Sequence, residues 1–389
     1  MIISIDQHLR AATRAVYLAF IFLGVAIATF ASRIPQIRDA LGLSPSQLGL
    51  VLLAGAIGSI TSLPLAGRVV ERFGSRRTVI AMALTFGLAL SVVAVGYRFG
   101  VLPVVIGLYG YGFATGAWDV AMNVQGAVVE RRLGRAIMPR FHAGYSVGTV
   151  AGAVLGAGAV AVGLSVTWHL ILVVVTSVLI VAATAGKFGP DETDPAEEKP
   201  AGSGIFTFWR EPRTLMIGVF VLAFAFTEGA GVDWISVAMI DDYGTSAAIG
   251  TLTFAVFLAA MTIFRWYGPG LLDRYGRVPV VRALAVLGLG GLLLFALGGH
   301  PAVAFAGAVL WGAGASLGFP VGMSAAADDP AKAAPRVGVV ASIGYIAFLG
   351  GPPLIGFLGD HLSVARGLLA VGVLLVISFV LSPALKPLQ

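Results

Sequence analysis

Cysteine is absent from the 389 residues, which excludes a disulfide scaffold and any thiolate metal site. Charge is scarce: Asp, Glu, Lys and Arg together make up 11% of the chain, against 58% hydrophobic residues. With a mean hydropathy of +0.94, the chain is too apolar to dissolve as a globular domain of this length. Catalytic signatures are missing as well. There is no HExxH, no glycine-rich phosphate loop ahead of a lysine, and the five histidines are scattered singly. The sequence therefore argues against an enzyme, and neither cofactor nor metal is expected. The formal charge of +6 is spread over short loops rather than gathered on one face, so no nucleic-acid partner is expected either.

Apolar stretches and glycine are what the chain has in quantity. Crossing about 30 Å of hydrocarbon takes about 20 helical residues. Twelve stretches qualify, near 15–34, 47–66, 78–96, 101–126, 141–163, 166–186, 214–238, 245–264, 280–298, 301–325, 337–358 and 363–383. The first follows His8, Arg10 and Arg14 as a signal peptide does, and Ala26-Ile27-Ala28 resembles a cleavage site. Its apolar run is longer than a signal core and eleven more follow, so it is read as a retained helix. The 52 glycines fit the same setting, because helices in lipid gain little from burying leucine and pack through small residues instead. The fold class is an all-α polytopic membrane protein of twelve transmembrane helices, with the lipid bilayer as its first partner.

Basic residues set the expected orientation. With a cytoplasmic N-terminus, 21 of the 25 Lys and Arg fall in inside segments, Arg265 among them, and only Arg33, Arg38, Arg98 and Arg366 fall outside. Both termini are expected on the cytoplasmic side of the inner membrane. One loop stands apart: residues 187–213 hold Asp191, Glu192, Asp194, Glu197 and Glu198 among Pro190, Pro195 and Pro200, the composition of a solvated linker. It divides an N-terminal six-helix bundle, 1–186, from a C-terminal one, 214–389.

The two bundles repeat each other. Glu71-Arg72-Phe73-Gly74 returns as Asp273-Arg274-Tyr275-Gly276, 202 residues later, and at that offset Gly110, Gly112 and Gly116 match Gly312, Gly314 and Gly318. Gly144-Tyr145 and Gly156 match Gly344-Tyr345 and Gly356 at an offset of 200. Two parallel six-helix repeats are a transporter architecture, with the solute site near mid-membrane. The run Gly67-Arg68-Val69-Val70-Glu71-Arg72-Phe73-Gly74-Ser75-Arg76-Arg77 resembles the G-x-x-x-D-R-x-G-R-R signature of the major facilitator superfamily, with Glu71 where Asp is usual. Its second copy keeps Asp273-Arg274-Tyr275-Gly276-Arg277, although Gly270 stands one residue too close to the acid. The resemblance covers the whole chain and implies the major facilitator fold with alternating access. Within that family, Asp119-Val120-Ala121-Met122-Asn123 is similar to the fourth helix of sugar–proton symporters related to fucose permease, although the acid those relatives carry in the first helix is missing between Ala28 and Ser32.

Charged residues inside the spans are the candidate chemistry, since a charge at the bilayer centre costs about 2.5–3.5 kcal/mol on insertion scales. Asp119 stands near the middle of the fourth helix with Asn123 on the same face, and a desolvated carboxyl there can take up and release protons. Its structural alternative is a carboxylate bonded to the next helix. In the seventh helix, Thr227-Glu228-Gly229-Ala230-Gly231-Val232-Asp233-Trp234 places two acids around glycines, a pattern expected to interrupt the helix. Glu228 and Asp233 are about 140° apart on a continuous helix and cannot share one cavity unless it breaks. Trp234 is placed to stack on a sugar ring or to sit at the interface. His142, with Tyr145 and Ser146 on its side of the fifth helix, is either a proton relay or an interfacial residue. Arg33 is expected to snorkel to the surface.

Gly144, Gly148, Gly152 and Gly156 form a packing stripe. Drug antiporters carry a proline where this chain has Thr149, as well as an arginine in the fourth helix, and neither is present. Gly350-Gly351-Pro352-Pro353 is expected to break the eleventh helix and act as a gate. In the signature loops, Gly67, Glu71, Arg72, Gly74, Arg76, Asp273, Arg274, Gly276 and Arg277 are expected to bias the conformational equilibrium, with Glu71 and Asp273 bonding neighbouring helix ends in one state. The expected function is proton-coupled symport of a small polar, sugar-like solute by a monomeric permease. Proton coupling is assigned to Asp119, Glu228, Asp233 and His142, and solute contact to Asp119, Asn123, Tyr145, Ser146, Glu228 and Trp234. The alternative is proton-driven efflux of drugs or metabolites.

Overall fold

The computed structural model describes residues 2–134, 137–191, 205–329 and 332–387. Among these, twelve helices are long and apolar enough to cross a membrane. They are α1 (Gln7–Leu41), α2 (Pro45–Phe73), α3 (Ser75–Gly96), α4 (Val101–Leu133), α5 (Met138–Ala161) and α6 (Val166–Ala185), then α7 (Pro212–Asp241), α8 (Ala247–Tyr275), α9 (Arg277–Leu297), α10 (Pro301–Ala326), α11 (Pro335–His361) and α12 (Val364–Leu385). All twelve lie where the hydropathy placed them. The chain forms two compact units, Met1–Leu43 with Leu50–Asp194 and Ser44–Gly49 with Pro195–Gln389. Of the linker acids, Glu192, Asp194, Glu197 and Glu198 lie outside the described residues.

Glycine determines how closely the helices of the first unit approach. A Cβ on Gly148 or Gly152 of α5 would run into the carbonyl of Ile21 or Val25 in α1, and one on Gly112 of α4 into the carbonyl of Gly55 in α2. Bare backbone meets bare backbone, and dispersion contact replaces the hydrophobic drive that lipid cannot supply. In the second unit Gly312 of α10 meets the carbonyl of Phe257 in α8 in the same manner. The carbonyls approached, at 55 and 257, are themselves 202 residues apart, so the duplication extends to packing.

The loops joining α2 to α3 and α8 to α9 are one residue long. Gly74 (φ 81°, ψ 153°) and Gly276 (φ 79°, ψ 165°) adopt a backbone conformation that is essentially glycine-only. That explains the fixed glycine in both signature copies.

Helix interruptions fall elsewhere than the sequence indicated. The α7 helix runs unbroken through Gly229 and Gly231, because Gly231 serves close packing instead: its Cβ would strike the Phe257 ring. The α11 helix also continues through Pro352 and Pro353. Each proline deprives one carbonyl a turn back of its donor, a loss that membrane helices tolerate. Discontinuities lie instead in α1, which kinks at Ser32–Arg33, and in α10, between segments Pro301–Ala315 and Gly318–Ala326, where the Phe224 ring occupies the space a side chain at Gly318 would need.

Candidate functional site

In the first unit, the unbroken α4 puts Asp119 near its midpoint, half-buried. The Asn123 side-chain amide donates to the Asp119 backbone carbonyl at 2.8 Å and to its carboxylate Oδ1 at 3.2 Å, which is the i, i+4 pairing read from the sequence. Among the described residues no cationic side chain forms an ion pair with this carboxylate. The preceding Trp118 is fully buried, edge-on to Phe86. On α5, His142 is exposed with its ring 5.1 Å from Phe20 of α1, Tyr145 is half-buried, and Ser146 is buried at 4% exposure.

The second unit answers with a pair. Arg265 of α8 reaches Glu228 of α7 with Nη2 to Oε2 at 3.2 Å, and its Nε donates to the Ser316 carbonyl at 3.1 Å. That carbonyl sits at the break in α10, where the helix supplies no partner of its own. Arg265 is therefore not a loop residue, as its position after the apolar run implied. The helix continues ten residues beyond it because the charge is compensated within the bundle. A charge ending an apolar window, with an acid of opposite sign in the preceding helix, was the signal available in the sequence.

Asp233 is half-buried and has no hydrogen-bond or ionic partner among the described residues. Since α7 is continuous, it lies about 140° around from Glu228. Trp234 is wholly buried, with its indole N–H unpaired, and offers no ring face to a solute in this structure. Arg33 does not snorkel: at 2% exposure it donates to His169 Nδ1 at 2.9 Å and to the Leu164 carbonyl at 3.0 Å, pinning the kink in α1 to the start of α6. The His169 Nδ1 must be unprotonated to accept that bond.

In the signature loops Gly67, Glu71 and Arg76 are exposed, as is Asp273, and neither acid bonds a helix end among the described residues. Arg72 lies over the Phe73 ring at 5.4 Å and Arg274 over Tyr275 at 5.2 Å, one more trace of duplication. The helix-end bonds come from other acids. Asp191 accepts from the Ser75 backbone N–H at 2.6 Å and from Gln125 at 2.7 Å, anchoring the start of the linker to the first turn of α3. In the second unit Asp328 binds Arg277 at 2.7 Å and Arg213 at 2.8 Å. Glu211, ahead of α7, accepts from Arg336 Nε at 2.8 Å, and the bonds to that guanidinium hold its carboxyl below the usual glutamate range. Among the described residues no cluster of His, Asp and Glu could hold a metal ion.

A membrane-spanning duplicated bundle with a few polar groups at mid-helix is the build of a secondary transporter. The sequence model of the Major Facilitator Superfamily matches residues 16–336 and 234–388, and the chain belongs to that family. It is a multi-pass transporter and not an enzyme. An uncharacterised transporter of Sinorhizobium fredii, y4wD, is 30% identical over 386 residues, 96% of this chain and 98% of that protein. Among solved structures, the nucleoside transporter NupG superposes with a TM-score of 0.74 at 15% identity, covering 97% and 98% of the two chains. The fucose:proton symporter FucP of E. coli superposes at 0.65 with 16% identity, covering 96% and 98%. These likenesses establish the fold.

Proposed function

We propose that the protein is a proton-coupled symporter that carries a small polar, sugar-like solute across the cell's inner membrane by alternating access, with both termini in the cytoplasm. The observation that carries this reading is Asp119: a half-buried carboxylate at the middle of α4, held by one amide and unmatched by any cation among the described residues. Such a group is costly when charged and inexpensive when protonated, so it exchanges a proton as its surroundings change from wet to dry. FucP, with the same fold, is by its description a fucose:proton symporter, which agrees with this assignment. Asp233 and His142 are secondary candidates for the proton path, and Asn123, Tyr145 and Ser146 for solute contact. A proton entering down 100 mV supplies about 2.3 kcal/mol, enough for about 40-fold accumulation of an uncharged solute.

The test uses proteoliposomes and a solute identified by thermal shift. Asp119→Asn should abolish solute-driven proton uptake while leaving solute binding measurable. Coupling that survives the substitution removes Asp119 from the role.

A further inference from the structure

The Arg265–Glu228 pair is the second unit's ionic contact between the middles of two membrane-spanning helices. Glu228 is the 17th of 30 residues in α7 and Arg265 the 19th of 29 in α8, so neither is close enough to a helix end to extend into bulk water. Yet their side chains keep 31% and 28% exposure. An ion pair turned towards hydrocarbon would be heavily penalised, so the open edge faces a space that water or solute enters.

The unmet hydrogen-bonding capacity of the pair identifies the chemistry. A guanidinium carries five N–H donors, and Arg265 uses one on the Ser316 carbonyl and one on Glu228 Oε2. Three donors remain beside Glu228 Oε1, which has no partner among the described residues. Donors and an acceptor thus stand side by side on a pair of zero net charge. We propose that Arg265 and Glu228 bind two adjacent hydroxyl groups of an uncharged polyol, one hydroxyl accepting from the guanidinium and its neighbour donating to the carboxylate. Charge excludes the alternatives. A solute carboxylate would compete with Glu228 for Arg265, a solute ammonium would compete with Arg265 for Glu228, and either leaves a buried charge unmatched, whereas a polyol leaves the pair intact. Arg265 is then a specificity-determining residue. Glu228 belongs to solute recognition, and proton carriage is left to the unpaired acids. This inference rests on the symport reading for its solute class, but its test does not use proton movement.

Full-length protein in nanodiscs is titrated by calorimetry with myo-inositol, L-fucose and D-xylose, and with D-glucuronate and D-glucosamine as charged counterparts. At least one neutral polyol should bind at least tenfold more tightly than either charged probe. The double variant Arg265→Met/Glu228→Leu replaces the pair by apolar chains of similar size, an exchange that is often neutral or stabilising, so its melting temperature should stay close to wild type. Its polyol affinity should fall at least tenfold. A deoxy analogue lacking one of the two hydroxyls should lose affinity in the wild type and nothing further in the double variant. Should the double variant fail to fold, Arg265→Lys keeps the charge and loses the planar fork, and affinity should still drop several-fold. Preference for a charged probe, absence of polyol binding, or wild-type affinity in either variant overturns the proposal. Loss of Asp119's coupling role would leave these binding results standing, and failure here would leave the coupling result standing.

Discussion

The fifth and eleventh helices began as one pattern and now differ at the positions that set packing distance. In α5 the stripe runs Gly144, Gly148, Gly152, Gly156; the first three lie against α1, and Gly148 and Gly152 press on backbone carbonyls. Two hundred residues later the stripe reads Gly344, Phe348, Pro352, Gly356. Gly144 faces Ile21 and Gly344 faces Val221, again 200 apart, so the alignment in space is kept. Between those shared ends, two glycines of one unit are replaced by a phenylalanine and a proline in the other. The mid-helix acids divide along the same line: among the described residues Asp119 has an amide and no counter-charge, Glu228 has an arginine. Duplication therefore conserved the frame and left each half free to specialise, one with a carboxyl that has no ionic partner among the described residues, the other with a compensated pair.

The largest effect should come from the stripe. Gly148→Ala forces a methyl onto the Ile21 carbonyl, and overpacking of this kind costs about 1–3 kcal/mol. Phe348→Ala, at the matching position of α11, removes a ring that is 42% exposed and should change stability by less than about 1 kcal/mol. Thermal unfolding in detergent measures both, and equal losses would break the contrast between the two seams.

A second comparison is sharper because the backbones are nearly the same. Gly74→Ala and Gly276→Ala each place a Cβ at a glycine-only conformation, which costs about 1–3 kcal/mol. Gly74 carries an added penalty, since its Cβ would sit 3.1 Å from Asp191 Oδ2, whereas nothing lies within 4 Å at Gly276. Gly74→Ala should be the more destabilising, and Asp191→Ala should narrow the gap by removing the obstructing atom. A larger loss at Gly276 would contradict the Asp191 anchor.

Both comparisons start from residues visible in the sequence, and the rest of the architecture divides by the same physics. Span number, repeat and signature loops were legible because hydropathy and glycine spacing are local properties. The Asp119–Asn123 pair was legible because i, i+4 geometry is fixed once the helix is. Arg265–Glu228 was not, since a cation at the end of an apolar window looks like a loop residue until its partner on another helix is known. Helix breaks were misplaced for a related reason. Gly231 and Pro352 read as breakers in isolation, yet Gly231 seats the Phe257 ring, while the break in α10 follows the Phe224 ring over Gly318. The bonds of Asp191 and Asp328 were not legible because acids in loops carry no periodicity that marks a partner.

The smallest expected effect separates how the two units hold their first helical turns. Asp191 in the first unit bonds a neutral backbone N–H, whereas Glu211 in the second bonds the Arg336 guanidinium, so the second unit's arrangement titrates more visibly. The bonds to Arg336 lower the Glu211 pKa below its ordinary 4.5 in the folded protein. A depressed carboxyl stabilises the fold above its unfolded value, and that stability is lost as pH falls through the folded value. Wild-type melting temperature should therefore drop as pH goes below about 4.5, and Glu211→Gln should flatten that limb. At neutral pH the variant should lose no more than about 1 kcal/mol, because a partly exposed pair is screened. An acid limb that is unchanged in Glu211→Gln would assign the loss to other carboxylates and remove this distinction between the units.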